Sequence, residues 1–380
     1  MREHSIYREH EFKTRFSLEQ ALISQLEYLM GSIGWLRNWR VKNTNNSLDE
    51  GFDFEVTLTL PEGKALLAIQ CKKELRPSAF HSIVHGFSRR KRPLIPVLAM
   101  PFVSSGLSDL CAMHHWSWFD LAGNCHIDVP GAIYLERLGH DPIYARPKPS
   151  ANLGTPEAGR VIRAILAPEN VGRRWTQRRM AIHFGQWDMP EASLGLVNKI
   201  VQHFRDEAFI EALPQRGFKL VDPVRLLFAW RDAYRFNRHE KRSYFSLLQG
   251  KQLQDALAKF DQEVNGFAAY AAFSAADFQA AHVRQPKTWI YVSDRYIKRF
   301  EELIKAKRVD SGENLVVLVP SDPGVFYLRE VSSARNMQLG RTNPVQTYVD
   351  LYHCGGRGRE ASEALLEQRL KPAWQNHKLI

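Results

Sequence analysis

Three residues near the N-terminus have the types and the spacing that metal-dependent cleavage of a phosphodiester requires. Asp53 lies in a segment with strand-like alternation, and 16 residues separate it from Gln70-Cys71-Lys72 in the next such segment. This chemistry uses acidic groups to hold Mg²⁺ and a lysine to stabilise charge on the attacked phosphate. Gln70 stands where a second acidic group is expected, and a neutral amide holds a hard divalent cation less well than a carboxylate. The sequence therefore predicts a nuclease-like site without nuclease activity.

The spacing matches that of the PD-(D/E)xK nucleases, with a glutamine in place of their usual carboxylate. Gln70 and Lys72 point to the same face of their strand because side chains alternate along it. Three further carboxylates could complete the site from neighbouring elements: Glu55, Glu19 and Glu27. Exposed strands often carry such charges by chance, so we interpret Asp53, Gln70 and Lys72 as vestigial catalytic candidates. We predict neither a bound metal nor a cofactor.

A second group of polar residues, farther along the chain, has the types that read DNA bases. Asn198 and Gln202 can each pair with two atoms of adenine, and Lys199 can reach guanine or a phosphate. Arginines crowd the preceding helix, where phosphate contacts are expected. The predicted DNA-binding residues are Arg173, Arg174, Thr176, Arg178, Arg179, Ser193, Asn198, Lys199, Gln202 and Arg216.

The elements predicted around these residues follow the order of a winged helix-turn-helix. Three helices precede two short strands, and Asp222-Pro223 opens a further helix. The predicted ranges are Gly159–Ala167, Gln177–Phe184 with Thr176 as N-cap, about Ser193 to Phe209, Phe209–Leu213 and Phe218–Val221. The predicted polar stripe of the third helix comprises Asn198, Lys199, Gln202 and His203. In this geometry the third helix enters the major groove, and polar residues at its N-terminal end contact base edges.

The charge of the chain favours a polyanionic partner. The 52 basic and 41 acidic residues give a net charge of +11. Residues 160–242 contain 16 basic and 9 acidic residues, so +7 of that excess lies in under a quarter of the chain. Double-stranded DNA is therefore the predicted partner. The alternative is that the small helical segment serves dimerisation or packing and that its polar stripe is merely solvated.

The segments on either side show α/β patterns. Phe52 to Leu60 alternate apolar and polar residues as a half-buried strand does, and Leu315–Val319 is an apolar run typical of a buried strand. Four prolines between 142 and 156 indicate a linker, and the polar stretch 237–243 indicates a softer boundary. The predicted domains are a PD-(D/E)xK-like α/β domain at 1–141, a linker at 142–155, a winged helix-turn-helix at 156–240 and a C-terminal α/β domain at 241–380.

The composition excludes several classes of protein. With 44% hydrophobic and 24% charged residues, the chain is neither collagen-like, coiled-coil nor disordered. No apolar run approaches the roughly 18 residues that a membrane span needs, and the charged start Met1-Arg2-Glu3-His4 is unlike a signal peptide. The four cysteines are scattered without a C-x-x-C pair, which is typical of reduced thiols in the cytoplasm. We therefore expect a cytoplasmic protein.

Several stretches together carry a resemblance to one protein family. They lie at 97–104, 118–124, 193–197, 220–223, 322–327, 344–351 and 356–360. Two are distinctive, namely Asp-Leu-Ala-Gly-Asn at 120–124 and Pro-Val-Gln-Thr-Tyr-Val-Asp-Leu at 344–351. The chain thereby resembles the AbiEi-type antitoxin-like transcriptional regulators of bacterial type IV toxin–antitoxin systems.

The resemblance implies a winged-helix protein that represses its own operon and has a nucleotidyltransferase-like toxin as its partner. The chain departs from the short members of the family by its large N-terminal α/β segment. Its C-terminal segment looks like a nucleotidyltransferase fold but lacks the G-S…D-x-D metal signature, so we expect no enzyme there.

We therefore predict a sequence-specific, antitoxin-like DNA-binding regulator without catalysis, with a homodimer as a candidate assembly. Two other hypotheses stay open. One is a metal-dependent DNA nuclease in which the winged helix guides Asp53, Gln70 and Lys72 to a duplex. The other is a scaffold whose C-terminal domain only binds a partner protein.

Overall fold

The computed structural model of the protein describes residues 15–43, 52–88, 93–143, 149–187, 190–283, 285–331 and 338–375. The chain forms two compact units, Met1–Lys148 and Pro149–Ile380, and the division falls within the predicted linker. Among the described residues, no helix combines the length and apolar character that crossing a bilayer requires.

The first unit is a seven-stranded mixed sheet with helices. Its elements are α1 (Arg15–Gly31), β1 (Trp39–Asn43), β2 (Phe54–Leu60), β3 (Gly63–Cys71), α2 (Pro77–Ser88), β4 (Ile95–Met100), α3 (Ser105–Met113), β5 (Ser117–Asp120), β6 (Cys125–Val129) and β7 (Ile133–Arg137). The strands lie side by side in chain order. The pairs β3–β4 and β4–β5 are parallel, and the other neighbours are antiparallel. Each parallel pair requires a crossover, which α2 and α3 supply.

Two hydrophobic clusters cover the two faces of this sheet. Leu22 and Leu26 of α1 pack with Phe54 and Val56 of β2, so the predicted alternation of β2 is confirmed. On the other face, Leu98 and other apolar residues of β4 and β5 pack with α2 and α3. Because side chains alternate along each strand, one set of strand residues packs against α1 and the other set packs against α2 and α3.

The second unit begins with a helical segment that carries a short hairpin. Its elements are α4 (Pro156–Leu166), α5 (Gln177–His183), α6 (Leu194–Asp206), β8 (Ile210–Ala212), β9 (Phe218–Leu220) and α7 (Pro223–Ala233). The side chains of Thr176 and Asp222 accept hydrogen bonds from backbone N–H groups at the starts of α5 and α7, so both predicted N-caps are confirmed. Ten residues separate α5 from α6, more than the about three or four of a tight helix-turn-helix.

A five-stranded sheet with helices completes the second unit. Its elements are β10 (Glu240–Ser246), α8 (Gly250–Glu263), β11 (Ala268–Tyr270), α9 (Ala272–Gln279), β12 (Thr288–Val292), α10 (Ile297–Ile304), β13 (Ala306–Arg308), β14 (Leu315–Val319), α11 (Pro344–His353), α12 (Gly358–Leu365) and α13 (Lys371–Gln375). The strand order is β11-β12-β14-β10-β13. Clusters of buried side chains lie on both faces of this sheet.

The stretch predicted as a soft boundary is largely β10, which pairs with both β14 and β13. Only alternate positions at its C-terminal end, Tyr244 and Ser246, are buried. A strand with one solvated face needs few apolar residues, so the polar composition of β10 did not indicate a strand.

One hydrophobic core joins the helical segment to the five-stranded sheet. Trp175, Phe184 and Trp230 belong to the same buried cluster as Tyr291 and Val345. The indole of Trp374 in α13 donates a hydrogen bond to the carbonyl of Leu166 in α4, at 3.1 Å. The segment at 156–240, which was predicted as a separate domain, therefore shares a core with the C-terminal sheet. The boundaries of the domains within the second unit stay a prediction.

Candidate nucleic-acid interface

The starts of α5 and α6 present polar side chains to solvent because the apolar residues of both helices face the core. Met180 and Ala181 of α5 are buried, whereas Arg178 and Arg179 are exposed. In α6 the buried residues include Val197 and Ile200. Asn198 and Lys199 lie between them in sequence and are exposed, as the 3.6-residue helical period requires.

A side-chain hydrogen bond links these two helix starts. Nε2 of Gln177, the first residue of α5, donates to Oδ1 of Asn198 at 2.9 Å. The hydroxyls of Thr176 and Ser193 accept backbone N–H groups of Arg179 and Leu196, so both act as helix caps. Their predicted role in DNA binding would therefore have to coexist with capping.

The tip of the β8–β9 hairpin lies beside the segment that precedes α5. Trp175 forms an antiparallel bridge with Phe218 of β9 through two backbone hydrogen bonds of 2.9 and 2.8 Å. The guanidinium of Arg174 donates to the carbonyl of Arg216 from Nε at 2.8 Å. Gly217 has a φ of +103°, and a Cβ there would lie 2.5 Å from the carbonyl oxygen of Trp175, so this turn requires glycine.

Six exposed cations of these elements have no ion-pair partner among the described residues. Within the described ranges, none of the following lies within ion-pair distance of a carboxylate: Arg173, Arg174, Arg178, Arg179, Lys199 and Arg216. We call these six residues, together with Gln177 and Asn198, the basic face. Uncompensated positive charge beside two helix starts is well suited to bind phosphates.

Two residues of the predicted polar stripe lie elsewhere. His203 is buried, and this desolvation lowers its pKa, so the interpretation of His203 as part of an exposed stripe is wrong. Gln202 is half-buried, and its Nε2 donates to Asp206 Oδ1 at 2.8 Å while its Oε1 accepts from Arg205 at 3.3 Å. Its amide is thus occupied within α6, and Asn198 and Lys199 are the more accessible side chains.

The structure brings two of the nuclease-site candidates into contact. Asp53 is buried beside β2, and its Oδ2 accepts the Gln70 side-chain amide at 3.1 Å and the backbone N–H of Cys71 at 2.6 Å. Lys72 follows directly after β3 and is half-buried. The carboxylate of Asp53 therefore holds the end of β3.

The additional carboxylates predicted for the nuclease-like site differ in their exposure. Glu55 is half-buried, Glu19 is buried and Glu27 is exposed. The apolar side of α1, which carries Glu19 and Glu27, packs on the sheet face formed by Phe54 and Val56. No group of three or more His, Cys, Asp or Glu side chains suited to a metal ion occurs within the described ranges.

A buried polar network, which the sequence did not reveal, connects α4, β12 and α11 with Tyr234, the residue that follows α7. Oδ1 of Asp350 accepts from Tyr234 Oη at 2.9 Å, Tyr291 Oη at 3.1 Å and Gln346 Nε2 at 2.7 Å. Nε of Arg163 in α4 donates to Oε1 of Gln346 at 2.5 Å. Burial raises the pKa of Asp350 from 3.8 to about 7. Its Oδ2 has no hydrogen-bond partner among the described residues.

A second buried contact joins α4 to the C-terminal part. Nη2 of Arg160 lies 2.8 Å from Oδ2 of Asp322, and both side chains are almost fully buried. Nη1 of Arg160 also donates to the carbonyl of Pro190 at 2.7 Å, in the connection that leads to α6. A paired, buried arginine therefore connects the segment before α6 to the segment after β14.

The C-terminal part of the chain matches a known family. Residues 219–371 match the family model described as "Transcriptional regulator, AbiEi antitoxin, Type IV TA system". This region, which we call the AbiEi-family region, is thus similar to the AbiEi antitoxin family. The resemblance predicted from the sequence is thereby confirmed from β9 to α13. Searches of curated proteins and of solved structures gave no match.

The AbiEi-family region contains four of the stretches that carried the resemblance, and two of them, 322–327 and 344–351, are largely buried. The stretch 344–351 in α11 supplies Gln346 and Asp350, one helical turn apart, to the polar network. The stretch 322–327 supplies Asp322 to Arg160, and Tyr327, whose hydroxyl contacts His183 at 2.6 Å. These stretches therefore join the AbiEi-family region to α4 and α5. The match does not reach the first unit, whose nuclease-like character stays a prediction.

Proposed function

We propose that the protein is a DNA-binding transcriptional regulator of the antitoxin type, with a winged helix-turn-helix at about residues 156–240. The observation that carries this proposal is the basic face. Its cations come from the segment before α5, from α5, from α6 and from the hairpin tip, and none has a carboxylate partner in the described ranges. The family of the adjoining region consists of transcriptional regulators, which supports the same function.

In this proposal each part of the basic face contacts a different part of a duplex. The start of α6 enters the major groove, where Asn198 and Lys199 reach base edges. Arg178 and Arg179 on α5 lie against phosphates, and Arg216 at the hairpin tip reaches the backbone beside the groove. The Arg174 contact to the Arg216 carbonyl holds the hairpin tip beside α5, so the arginines engage the same duplex.

The buried contacts between α4 and the AbiEi-family region give the DNA-binding segment a rigid support. Arg160 and Arg163 both reach side chains of that region, at 2.8 Å to Asp322 and 2.5 Å to Gln346. We propose that the protein autoregulates an operon that also encodes a nucleotidyltransferase-like toxin, and that the AbiEi-family region binds this toxin. Co-expression with a toxin encoded beside it should yield a complex on size exclusion. Failure to co-elute would contradict this part of the proposal.

The alternative that the protein is a metal-dependent DNA nuclease has less support than the proposed regulator function. A metal site needs anionic oxygens that are free to coordinate, but Oδ2 of Asp53 already accepts two hydrogen bonds. The amide of Gln70 is one of those donors, so it holds the carboxylate rather than a cation.

The test is selection of bound sequences from randomised duplexes, followed by equilibrium binding at several salt concentrations. The parent should select a defined sequence. Changing Arg178 and Arg179 to Ala should weaken binding to all sequences alike. The slope of log K against log salt should shrink by about 0.9 for each lost contact, or about 1.8 for the pair.

A matched control removes two arginines outside the basic face. Arg299 and Arg357 are exposed in the same unit and are paired with Glu263 and Glu360. Their joint replacement by Ala lowers the net charge by the same amount and should leave the salt slope near that of the parent. Equal salt slopes for R178A/R179A and the parent would show that these arginines do not contact DNA. A parent protein that selects no sequence would refute the proposed function.

A further inference from the structure

We infer that Asn170 is a positioning residue, which holds the Arg173 guanidinium in place to bind a DNA phosphate. This inference rests on the proposed function, because it concerns how one cation of the basic face meets the duplex. The observation is the 3.1 Å hydrogen bond from Arg173 Nη1 to Asn170 Oδ1. Asn170 is buried, whereas Arg173 is exposed. Asn170 therefore acts on DNA through Arg173 rather than by direct contact.

The orientation of the Asn170 amide follows from its other two partners. Its Nδ2 donates to the carbonyl oxygen of Ala164 at 2.9 Å and to Tyr327 Oη at 2.9 Å. A carbonyl oxygen can only accept a hydrogen bond, and the guanidinium of Arg173 can only donate. Turning the amide over would place Oδ1 against the Ala164 oxygen and Nδ2 against the guanidinium, and both contacts would be repulsive. The group that Asn170 presents to Arg173 is therefore its oxygen.

Tyr327 supports this amide from the AbiEi-family region. Its hydroxyl also lies 2.6 Å from Nε2 of the buried His183. Burial lowers the pKa of His183 to about 4, so the imidazole is neutral near pH 7 and Nε2 can accept a hydrogen bond. The Tyr327 hydroxyl can therefore accept from Asn170 and donate to His183 at the same time. The acceptor beneath Arg173 is thus held by a buried network and not by solvent.

A second contact fixes the plane of the Arg173 guanidinium. Its central carbon lies 4.3 Å from the ring centroid of Trp175, whose side chain is almost fully buried. A guanidinium is attracted electrostatically to the face of an indole. Held by this ring and by the Asn170 oxygen, the guanidinium keeps its remaining N–H groups for a phosphate, which arginine can bind through two parallel hydrogen bonds.

This preorganisation lowers the entropic cost of binding DNA. A mobile arginine side chain loses rotamer freedom when it binds a phosphate, whereas a side chain that is already held loses less. Among the described residues, the side chains of Arg178 and Arg179 have no hydrogen bond of this kind. Removing the Asn170 oxygen should therefore weaken DNA binding even though the charge of Arg173 remains.

The experiment is a double-mutant cycle between residues 170 and 173, measured as affinity for the duplex that the parent selects, at several salt concentrations. Asn170→Ala should weaken binding by roughly 2- to 10-fold, the cost of immobilising one long side chain. It should leave the slope of log K against log salt near that of the parent, because the cation is still present. Arg173→Ala should weaken binding and shrink this slope by about 0.9. Adding N170A to R173A should then have no further effect.

The cycle distinguishes positioning from a purely structural role. If Asn170 only stabilised the fold, N170A would weaken binding by the same factor with and without Arg173. In an R178A background N170A should keep its full effect, because Asn170 holds Arg173 and not Arg178. Asn314→Ala is the matched control for lost stability. The Asn314 amide makes two hydrogen bonds to the backbone of Ser246 in β10, and N314A should leave the affinity for DNA unchanged.

A measurement on the parent alone covers the case in which N170A does not fold. The NMR order parameter of the Arg173 Nε–H group in the free protein should exceed those of Arg178 and Arg179. Equal order parameters would overturn the inference, because Arg173 would then be no more ordered than its neighbours.

The outcomes also separate this inference from the proposed function. A parent that binds no duplex would refute the proposed function and the inference with it. A parent that binds DNA, while N170A and R173A weaken binding independently of each other, would overturn the inference alone. The same conclusion would follow if N170A bound DNA as tightly as the parent.

Discussion

Asp350 should make the second unit less stable as the pH rises, and Asp350→Asn should remove this dependence. Burial raises the pKa of this carboxyl from 3.8 to about 7, mainly by desolvation. The folded state therefore favours the protonated form. Because the folded-state pKa lies above the unfolded one, the stabilising effect is complete below pH 3.8 and is lost as the pH rises to about 7.

The magnitude follows from the two pKa values. Each unit of pH between these two pKa values lowers the free energy of unfolding by up to about 1.4 kcal/mol. The full interval between the pKa values therefore lowers it by roughly 4 kcal/mol. The asparagine is neutral at every pH and nearly isosteric. Its oxygen can still accept from Tyr234, Tyr291 and Gln346, as Oδ1 does in the parent. Relative to the parent, D350N should therefore gain roughly 3 kcal/mol between about pH 5 and pH 8.

The assay is urea unfolding of both proteins at several pH values, followed by tryptophan fluorescence. The quantity of interest is the difference in free energy of unfolding between D350N and the parent at each pH. Burial also lowers the pKa of His239 to about 4, but this group titrates in both proteins and cancels in the difference. Asp310→Asn, which neutralises an exposed carboxyl, serves as control and should give a difference that hardly varies with pH.

Two results would refute the reasoning. One is a difference between D350N and the parent that stays constant with pH, which would mean that Asp350 does not change protonation on folding. The other is a difference of opposite sign, with D350N becoming relatively less stable at high pH. That result would mean that the Arg163 guanidinium, which lowers the pKa of Asp350, outweighs desolvation.

Two further predictions concern the two candidate sites. Gly195→Ala at the start of α6 should raise the free energy of unfolding by up to about 1 kcal/mol, because a Cβ there meets no atom within 4 Å. It should nevertheless weaken duplex binding by placing a methyl group against the DNA, and unchanged affinity would place the start of α6 away from the groove. The purified protein should not cleave supercoiled, linear or branched DNA in Mg²⁺ or Mn²⁺; metal-dependent cleavage that disappears in Lys72→Ala would restore the nuclease hypothesis.

The sequence predicted those elements whose signals are local. The alternation in β2, the apolar run of β14 and the caps Thr176 and Asp222 all appear in the structure where the pattern placed them. Each of these signals lies within a few neighbouring residues, because helix and strand periods and capping bonds connect positions close in the chain. The resemblance to the AbiEi family was also present in the sequence, and the family match confirms it for residues 219–371.

Two strands of mostly polar composition were not predicted. β1 and β10 are mostly polar, and β10 is recognisable only by its pairing with β14 and β13. The pairing energy of such a strand comes from backbone groups, which every residue type carries. Composition therefore says little about it.

Tertiary structure alone decided which polar residues are accessible and what they contact. His203 falls on the polar side of a helical wheel, yet the surrounding core buries it. The Gln202 amide is hydrogen-bonded to Asp206 of the same helix, whereas the Asn198 amide is hydrogen-bonded to Gln177 of another helix. The network of Asp350 likewise joins residues more than 100 positions apart, such as Tyr234. A periodic pattern specifies the side of an element on which a residue lies, but its hydrogen-bond partners depend on which distant segments pack there.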